Sequence, residues 1–345
     1  MKTVISKSCF FMMMLCALSR CEGQVENATP IGNLPPHITS LTTFGQRADW
    51  SHDGEKILFI EKTFGDVYEV ELKTRELRPM THHFFHEGFT RALYLSNGDI
   101  LLSGARKFDA EDPWPSRSEE NAELWILKKD LSGAPIALGE KCSEGPAVSR
   151  TRMRIAWTQK NKIYLGNIVT EEGVPRITGK RMILDAEALD FKCYLETQNF
   201  RPPEETEIIF SAYDYQGGEV MGVNIETGKV VNYSNADFQY DEPEGIFPDG
   251  KYTLVESDRH VSQGREFKGI QYIDIHKLAL DGSGKYERMT FFNDYTGWKA
   301  TNPVVSDDGR FFAFQCARYG DPAGVGRGIL LFDLKMYEKM SEGKK

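Results

Sequence analysis

The segment Asn302-Pro-Val-Val-Ser-Asp-Asp-Gly-Arg-Phe-Phe-Ala-Phe-Gln315 decides the fold. It predicts a β-hairpin, because an apolar strand and a Phe-rich strand flank the pair Asp308-Gly309, and glycine takes the positive φ that tight hairpin turns need. The same phrase recurs at residues 48–60 and 245–256, with weaker copies at residues 92–102 and 146–157. A supersecondary unit that recurs along a chain indicates a repeat architecture.

Each hairpin is followed by further strand-like segments. In the first unit these are residues 66–72 and 76–81, separated by a polar turn. The hairpin turns recur about 44 to 59 residues apart, which is typical of four-stranded propeller blades with variable loops. They are marked by Gly54, Gly98, Thr151, Thr206, Gly250 and Gly309. The sequence therefore predicts an all-β, six-bladed β-propeller.

The two ends of the repeat array complement each other. The sixth unit has a third strand at residues 328–334 and no fourth strand, whereas a lone strand at residues 38–44 precedes the first hairpin. We expect this N-terminal strand to complete the last blade, which would leave no open sheet edge at the seam. The predicted organisation is a lead-in at residues 24–36, one propeller at 37–340 and a tail at 341–345.

The hairpin phrases resemble a known repeat. Residues 50–59, 247–254 and 305–314 are similar to the W-S-P-D-G-K-x-I-A-F motif of the TolB-like six-bladed propellers, which are WD-like in their blades. The resemblance implies the fold over the whole mature chain and implies little about activity, since this fold serves scaffold proteins, sugar-polymer lyases, peptidases and hydrolases. TolB itself carries an α/β domain before its propeller, so a role in the Tol–Pal system is not expected here.

The first residues predict export. Met1-Lys2 and Lys7 precede the apolar run from Cys9 to Leu18, and this layout is typical of a signal peptide over residues 1–23, directing the chain to the periplasm or the exterior. Lipid attachment at Cys21 is an alternative that Arg20 disfavours. No later segment is long and apolar enough to cross a membrane.

The charge and the cysteine content argue against a nucleic-acid-binding protein and against a disulfide-stabilised protein. The 345-residue chain has a net charge of −9 with acidic and basic residues intermixed, which argues against nucleic acid as the main partner. Cys142, Cys193 and Cys316 are too few and too scattered for a disulfide framework, and we expect them to be buried apolar residues.

One face of the predicted propeller carries long loops. The turns between first and second strands are tight, whereas residues 105–122, 190–206, 258–269 and 317–327 form long connections on the opposite face. Long loops on a rigid scaffold commonly carry binding residues, and the central channel opens among them as a natural pocket.

Charged residues gather near the start of several first strands. The candidates are Arg47, Arg91, Asp241, Glu242 and Glu244. Arginines facing carboxylates could hold a carboxylate or sulfate of a substrate and supply acid–base groups. The alternative interpretation is a ring of mutually satisfied ion pairs that plugs the channel.

Histidines supply a candidate metal site. His83 and His86 lie three residues apart near His82 and Glu87, and His260 is the comparable distant partner, so a divalent metal could be held by His83, His86 and His260. The propellers of oligogalacturonate lyases, which bind a metal through histidines of several blades, are a distant resemblance. The alternative is ordinary surface or hydrogen-bonded histidines. His52 and His276 are interpreted as structural.

Aromatic and charged residues of the long loops are candidate ligand contacts. Aromatic rings beside charged groups suit the apolar faces of sugars, although they could equally just cover the loops. The residues are Trp114, Arg259, Trp298, Lys299, Arg318 and Asp321, with Tyr295 and Tyr319 nearby.

Two functions are compatible with these features. The favoured hypothesis is an exported, monomeric binding or scaffold propeller that contacts a protein partner or an acidic oligosaccharide through its long-loop face. The alternative is a lyase or hydrolase acting on an acidic glycan at the channel mouth. In a lyase, Arg47 and Arg91 would neutralise a uronate carboxylate and His260 or His86 would take the C5 proton, with or without a divalent metal.

Overall fold

The computed structural model describes residues 28–118, 121–142, 145–214, 217–235, 238–261, 272–321 and 324–343. The predicted signal peptide lies outside these residues. The chain forms six four-stranded antiparallel sheets, which confirms the six-bladed propeller.

The blades follow one another along the chain. Blade one consists of β2 (Gln46–Trp50), β3 (Lys56–Ile60), β4 (Val67–Glu71) and β5 (Leu77–Pro79). Blade two consists of β6 (Arg91–Tyr94), β7 (Ile100–Ala105), β8 (Ala122–Leu127) and β9 (Ile136–Lys141). Blade three consists of β10 (Ala147–Val148), β11 (Arg154–Gln159), β12 (Lys162–Glu171) and β13 (Val174–Asp185). Blade four consists of β14 (Tyr194–Phe200), β15 (Glu207–Tyr213), β16 (Gly218–Asn224) and β17 (Val230–Asn232). Blade five consists of β18 (Asp241–Ile246), β19 (Tyr252–Ser257), β20 (Asp274–Ala279) and β21 (Tyr286–Arg288).

The sixth blade joins the two ends of the chain. It consists of β22 (Trp298–Val305), β23 (Phe311–Arg318), β24 (Ile329–Asp333) and the N-terminal β1 (Ile38–Ser40). β1 pairs antiparallel with β24, and Ile38 lies opposite Phe332. The predicted closure by the N-terminal strand is therefore confirmed. Trp50 of blade one also donates a hydrogen bond to the Val304 carbonyl of blade six at 2.9 Å, across the seam.

The repeated Ser-x-Asp-Gly motif forms local hydrogen bonds that stabilise the hairpin turn. The amide of Gly54 donates to the Ser51 carbonyl at 2.9 Å, and Gly54 takes a φ of 71°. The Ser51 hydroxyl donates to Asp53 Oδ1 at 2.6 Å and accepts from the Lys56 amide at 2.9 Å. The serine and aspartate thus satisfy turn groups that the hairpin ladder cannot reach. Ser306, Asp308, Gly309 and Phe311 repeat the arrangement.

The apolar core lies between blades. In the described residues, six clusters of buried side chains each join two neighbouring blades, for example Phe312 and Phe314 of blade six with Leu254 and Ile275 of blade five. The propeller is therefore held by a ring of sheet-on-sheet contacts around a channel that stays polar. As expected, Cys142, Cys193 and Cys316 are buried free thiols.

Three features differ from the sequence-based expectation. Residues 190–206 are not one long loop, since β14 occupies residues 194–200 as the first strand of blade four. Its polar residues belong to the channel wall. The segment therefore lacks the apolar alternation by which a strand is recognised in a sequence. A short helix α1 (Trp114–Arg117) lies within residues 105–122, and helix α2 (Leu334–Glu342) follows β24. Single 3-10 turns occur at Pro30–Asn33, Ala186–Ala188 and Phe292–Asp294.

Candidate functional site

An ion pair across the channel separates two cavities. Arg91 on β6 contacts Glu244 on β18 at 3.3 Å, and blade two lies opposite blade five in a ring of six. Arg91 lines the cavity of about 320 Å³ at the tight-turn end, whereas Glu244 lines both that cavity and one of about 340 Å³ at the long-loop end. The channel is therefore closed in its middle and open as a cup on the long-loop face.

The cup on the long-loop face, here called the mouth cavity, concentrates ionisable groups. Its wall includes carboxylates from blades four and five, cations from blades one and six and from α1, and two phenols. These residues are Glu196, Glu242, Glu244, Glu256, Arg47, Lys299, Arg117, Tyr213 and Tyr240. Clustered titratable residues inside a cleft are a physical mark of a functional site.

Strand alternation decides which blade-five carboxylates reach the cavity. On β18, Glu242 and Glu244 line the channel, while Asp241, which directly precedes Glu242, faces the opposite side of the sheet and is completely buried. Asp241 accepts a hydrogen bond from Arg259 at 2.7 Å, and the Arg259 guanidinium lies 3.7 Å from the centre of the Tyr286 ring. The structure thus places the predicted site residues Asp241 and Arg259 in a packing network, away from the walls of both cavities.

Neutral donors hold the mouth carboxylates in place. Asn302, at a left-handed φ of 48°, donates from its backbone amide to Glu256 Oε1 and from its side chain to Glu244 Oε1, both at 2.6 Å. The Tyr240 hydroxyl donates to Glu242. These bonds fix one oxygen of each carboxylate and orient the group toward the cavity.

Several side chains of the channel wall have shifted pKa values. Burial, followed by the neighbouring Glu242 and Glu244 carboxylates, raises the pKa of Glu196 to about 7. Burial and nearby carboxylates also raise the pKa of Glu242 and, more strongly, of Glu256. Burial and the Arg47 guanidinium lower the pKa of Arg117 to about 10. A carboxyl with a pKa near 7 changes its protonation state at neutral pH, as general acids and bases do.

Several mouth residues were missed by the sequence analysis. Glu196 lies on β14, within residues that the sequence predicts as a long loop. Arg117 reaches the cavity from α1 within a long loop, and Glu256 lies at the end of a second strand. The polar alternation of Glu196 and Gln198 was a signal that could have identified β14, because both residues line the channel.

The candidate ligand residues of the long loops do not all line the mouth cavity. Lys299, Arg318 and Asp321 line the mouth cavity, and Asp321 accepts two hydrogen bonds from Arg327 at 2.6 and 2.7 Å. The guanidinium groups of Arg318 and Arg327 each lie 5.7 Å from the Trp298 ring, which is half-buried.

Two of the candidate aromatic rings are largely exposed. Trp114 is 61% exposed and Tyr319 is 62% exposed. Because Trp298 is half-buried, these more exposed rings are the better platforms for a ligand on the long-loop face.

His83, His86 and His260 do not assemble around one point. His86 contacts Asp66 at 2.9 Å, His83 contacts the Gly133 carbonyl at 3.2 Å, and His260 contacts Asn293 at 3.1 Å. Burial and the nearby Arg288 lower the pKa of His260 to about 4. Structural contacts also occupy His52 and His276, the two histidines interpreted as structural: His52 bonds Asp307 and the Leu95 carbonyl, and His276 stacks on His260.

A different group has the geometry of a metal site. Among the described residues, one set of three or more His, Cys, Asp and Glu side chains brings its ligand atoms within 4.8 Å of one another: Glu242, Glu244 and Glu256. His83, His86 and His260 form no such set.

The cavity at the tight-turn end was not expected. The sequence predicts binding on the opposite face because the turns here are short. Short turns nevertheless surround a cavity whose wall is rich in proline. Its prolines are Pro146, Pro202, Pro203, Pro248 and Pro303. At its rim Arg150 of blade three contacts Asp307 of blade six at 2.7 Å and Asp49 of blade one at 3.4 Å.

Comparison with known proteins supports the fold alone. No protein-family model matches the sequence, and no curated protein shows significant similarity to it. Among solved structures, similar chains include an oligogalacturonate lyase in complex with manganese (TM-score 0.49, 11% identity, covering 84% of this chain and 77% of the other). A TolB from Acinetobacter baumannii gives a TM-score of 0.44 at 15% identity, covering 86% and 66%. A chain of a nidogen/laminin complex gives 0.50 at 10% identity, covering 81% and 89%.

The fold-level resemblance to TolB-like and oligogalacturonate lyase propellers is thereby confirmed. At such identities the likeness carries no ligand or reaction to this chain. In the described part of the chain, none of the helices has the length and apolar character needed to cross a membrane.

Proposed function

We propose that this protein is a binding propeller that takes an acidic oligosaccharide in the mouth cavity on its long-loop face. The observation that carries the proposal is the juxtaposition of buried carboxylates with Arg47 and Arg117 in an open cavity of about 340 Å³. That volume lies within the range of small-molecule sites.

The chemistry of the wall matches such a ligand. Carboxylates such as Glu196 and Glu242 accept hydrogen bonds from sugar hydroxyls, and guanidinium groups bind a sugar carboxylate in a bidentate manner. Trp114 and Tyr319, exposed beside the mouth, provide flat surfaces for further sugar rings. Buried charges are expensive to maintain without such a partner.

Calorimetric titration with uronate oligosaccharides tests the proposal. We expect binding by the wild-type protein and a loss of at least about tenfold in affinity for Arg117→Gln, because a charge-assisted hydrogen bond contributes about 1.5–3 kcal/mol. Arg176→Gln, on the exposed end of the β12–β13 hairpin, is the matched control and should bind as the wild type does. Absence of binding to every uronate oligosaccharide tested, or unchanged affinity in Arg117→Gln, would overturn the proposal.

The raised pKa of Glu196 favours a second candidate function. A carboxyl with a pKa of about 7 beside other carboxylates and arginines could transfer a proton in a lyase or hydrolase acting on the same glycan. Incubation with uronate polymers, followed by assays for unsaturated products and new reducing ends, tests this. Turnover that is lost in Glu196→Gln while binding persists would establish the enzyme, and absence of product would leave the binding function.

Export is part of the proposal and rests on residues 1–23. Mass spectrometry of the protein secreted from its host should find an N-terminus at Gln24. Retention of the initial residues would contradict it.

A further inference from the structure

The mouth cavity contains a group of oxygen ligands that the sugar proposal does not explain. Glu242, Glu244 and Glu256 bring carboxylate oxygens within 4.8 Å of one another. Calcium binds oxygen at about 2.3–2.6 Å, so two ligands of one ion lie at most about 4.6–5.2 Å apart. Magnesium binds oxygen at about 2.0–2.1 Å, demands near-ideal octahedral geometry and gives up its water molecules reluctantly. A group of protein carboxylates therefore suits calcium better than magnesium.

A second observation points to a missing partner at the same place. Thr301 is 4% exposed, lines the mouth cavity, and its hydroxyl has no hydrogen-bond partner among the described residues. It directly precedes Asn302, whose amide donates to Glu256. A buried hydroxyl without a protein partner is uncommon and indicates a bound water or ion. A hydroxyl oxygen is also a normal ligand type for a hard cation.

The surrounding donors orient the carboxylates as outer ligands do in metal sites. Asn302 holds Glu244 and Glu256, and Tyr240 holds Glu242. Such contacts fix the ligand oxygens before an ion arrives.

We propose that Glu242, Glu244 and Glu256, with the Thr301 hydroxyl, bind one calcium ion at the wall of the mouth cavity. This site differs from the histidine site expected from the sequence in residues, in ligand chemistry and in metal preference. The inference deepens the proposed function and rests on it in one respect: the ion would offer open coordination positions to the hydroxyl or carboxylate oxygens of the sugar.

Calcium titration of chelator-treated protein in the absence of sugar tests the site. We expect one calcium ion per chain, a higher melting temperature with calcium, and a response to magnesium at least about tenfold weaker. Because no sugar is present, failure of the cation site is distinguishable from failure of the sugar proposal.

Variants identify the ligands. Glu256→Gln and Thr301→Val should each lower calcium affinity by about tenfold or more. Lys299→Met should raise the affinity for calcium. Lys299 lines the same cavity, and its positive charge repels a cation bound there. Glu171→Gln, 56% exposed on a distant hairpin, is the control. The melting temperature of each variant in chelator checks that it folds.

Calcium binding by the wild type and by these variants decides whether the site exists. Stoichiometric calcium binding that weakens in Glu256→Gln and strengthens in Lys299→Met supports the site. Absence of binding up to millimolar calcium, or equal affinity in the wild type and Glu256→Gln, overturns it.

Discussion

Glu196 shows how one residue of the channel acquires unusual acidity. Its pKa is about 7 in the folded protein, against about 4.3 in an unfolded chain. A raised folded pKa means that the contribution of Glu196 to stability is complete below about pH 4.3. That contribution is lost as the pH rises through about 7.

Glu196→Gln removes this titration. We therefore expect the variant to gain stability relative to the wild type between about pH 4.3 and 7, with a constant difference above that window. Urea unfolding of both proteins from pH 4 to 8 measures the difference. A difference that stays flat with pH would disprove the assignment.

Gly54 shows how far the repeated turn depends on backbone conformation. Its φ is 71°, and an added Cβ would meet nothing within 4 Å. Gly54→Ala should therefore destabilise the protein by about 1 kcal/mol, through backbone conformation alone. Gly133 has equally open space without a positive φ, so Gly133→Ala should be neutral or slightly stabilising. Chemical denaturation of the pair checks this, and equal effects would contradict the explanation.

At the scale of the element, the three-residue strand β1 closes the ring. Ile38 is 6% exposed and packs with the blade-six cluster that includes Phe332. Ile38→Ala should lower the free energy of unfolding by about 2–4 kcal/mol, because it leaves a cavity at the seam. Thr39→Ala, on the exposed side of the same strand, should change it by less than about 0.5 kcal/mol. Comparable losses in both variants would show that the pairing, and not the buried side chain, stabilises the seam.

The elements differ in how far the sequence predicts them. The Ser-x-Asp-Gly hairpins and the closing strand were predictable, because their signals are local turn chemistry and repetition. β14 was not recognised, because the channel-facing Glu196 and Gln198 interrupt its apolar pattern. The mouth cavity was predicted only in part, since Arg117 and Glu256 meet the other residues through the ring closure of the propeller, which no local pattern encodes.

At the scale of the whole molecule, ion pairs between opposite blades connect the ring across its axis. Arg91 of blade two meets Glu244 of blade five, and Arg150 of blade three meets Asp307 of blade six. The Arg91–Glu244 ion pair thus crosses the middle of the channel, while the mouth cavity above it remains open. Glu244, which takes part in this ion pair, also lines the candidate site.

The Arg91–Glu244 pair gives the sharpest test of this arrangement. Both side chains are less than 10% exposed, at 9% and 5%, so removing one partner leaves an uncompensated buried charge. Arg91→Met should therefore lower the free energy of unfolding by about 3–5 kcal/mol.

Replacing both partners separates the charge effect from packing. Arg91→Met combined with Glu244→Leu should recover most of the stability lost in the single variant, because two apolar side chains need no compensation. The exposed pair Arg176–Glu171 serves as control, and Arg176→Met should cost less than about 1 kcal/mol. All variants are unfolded in urea with chelator present, because Glu244 also belongs to the proposed calcium site. A double variant as unstable as Arg91→Met would show that packing of the Arg91 side chain, and not its charge across the channel, supports the ring.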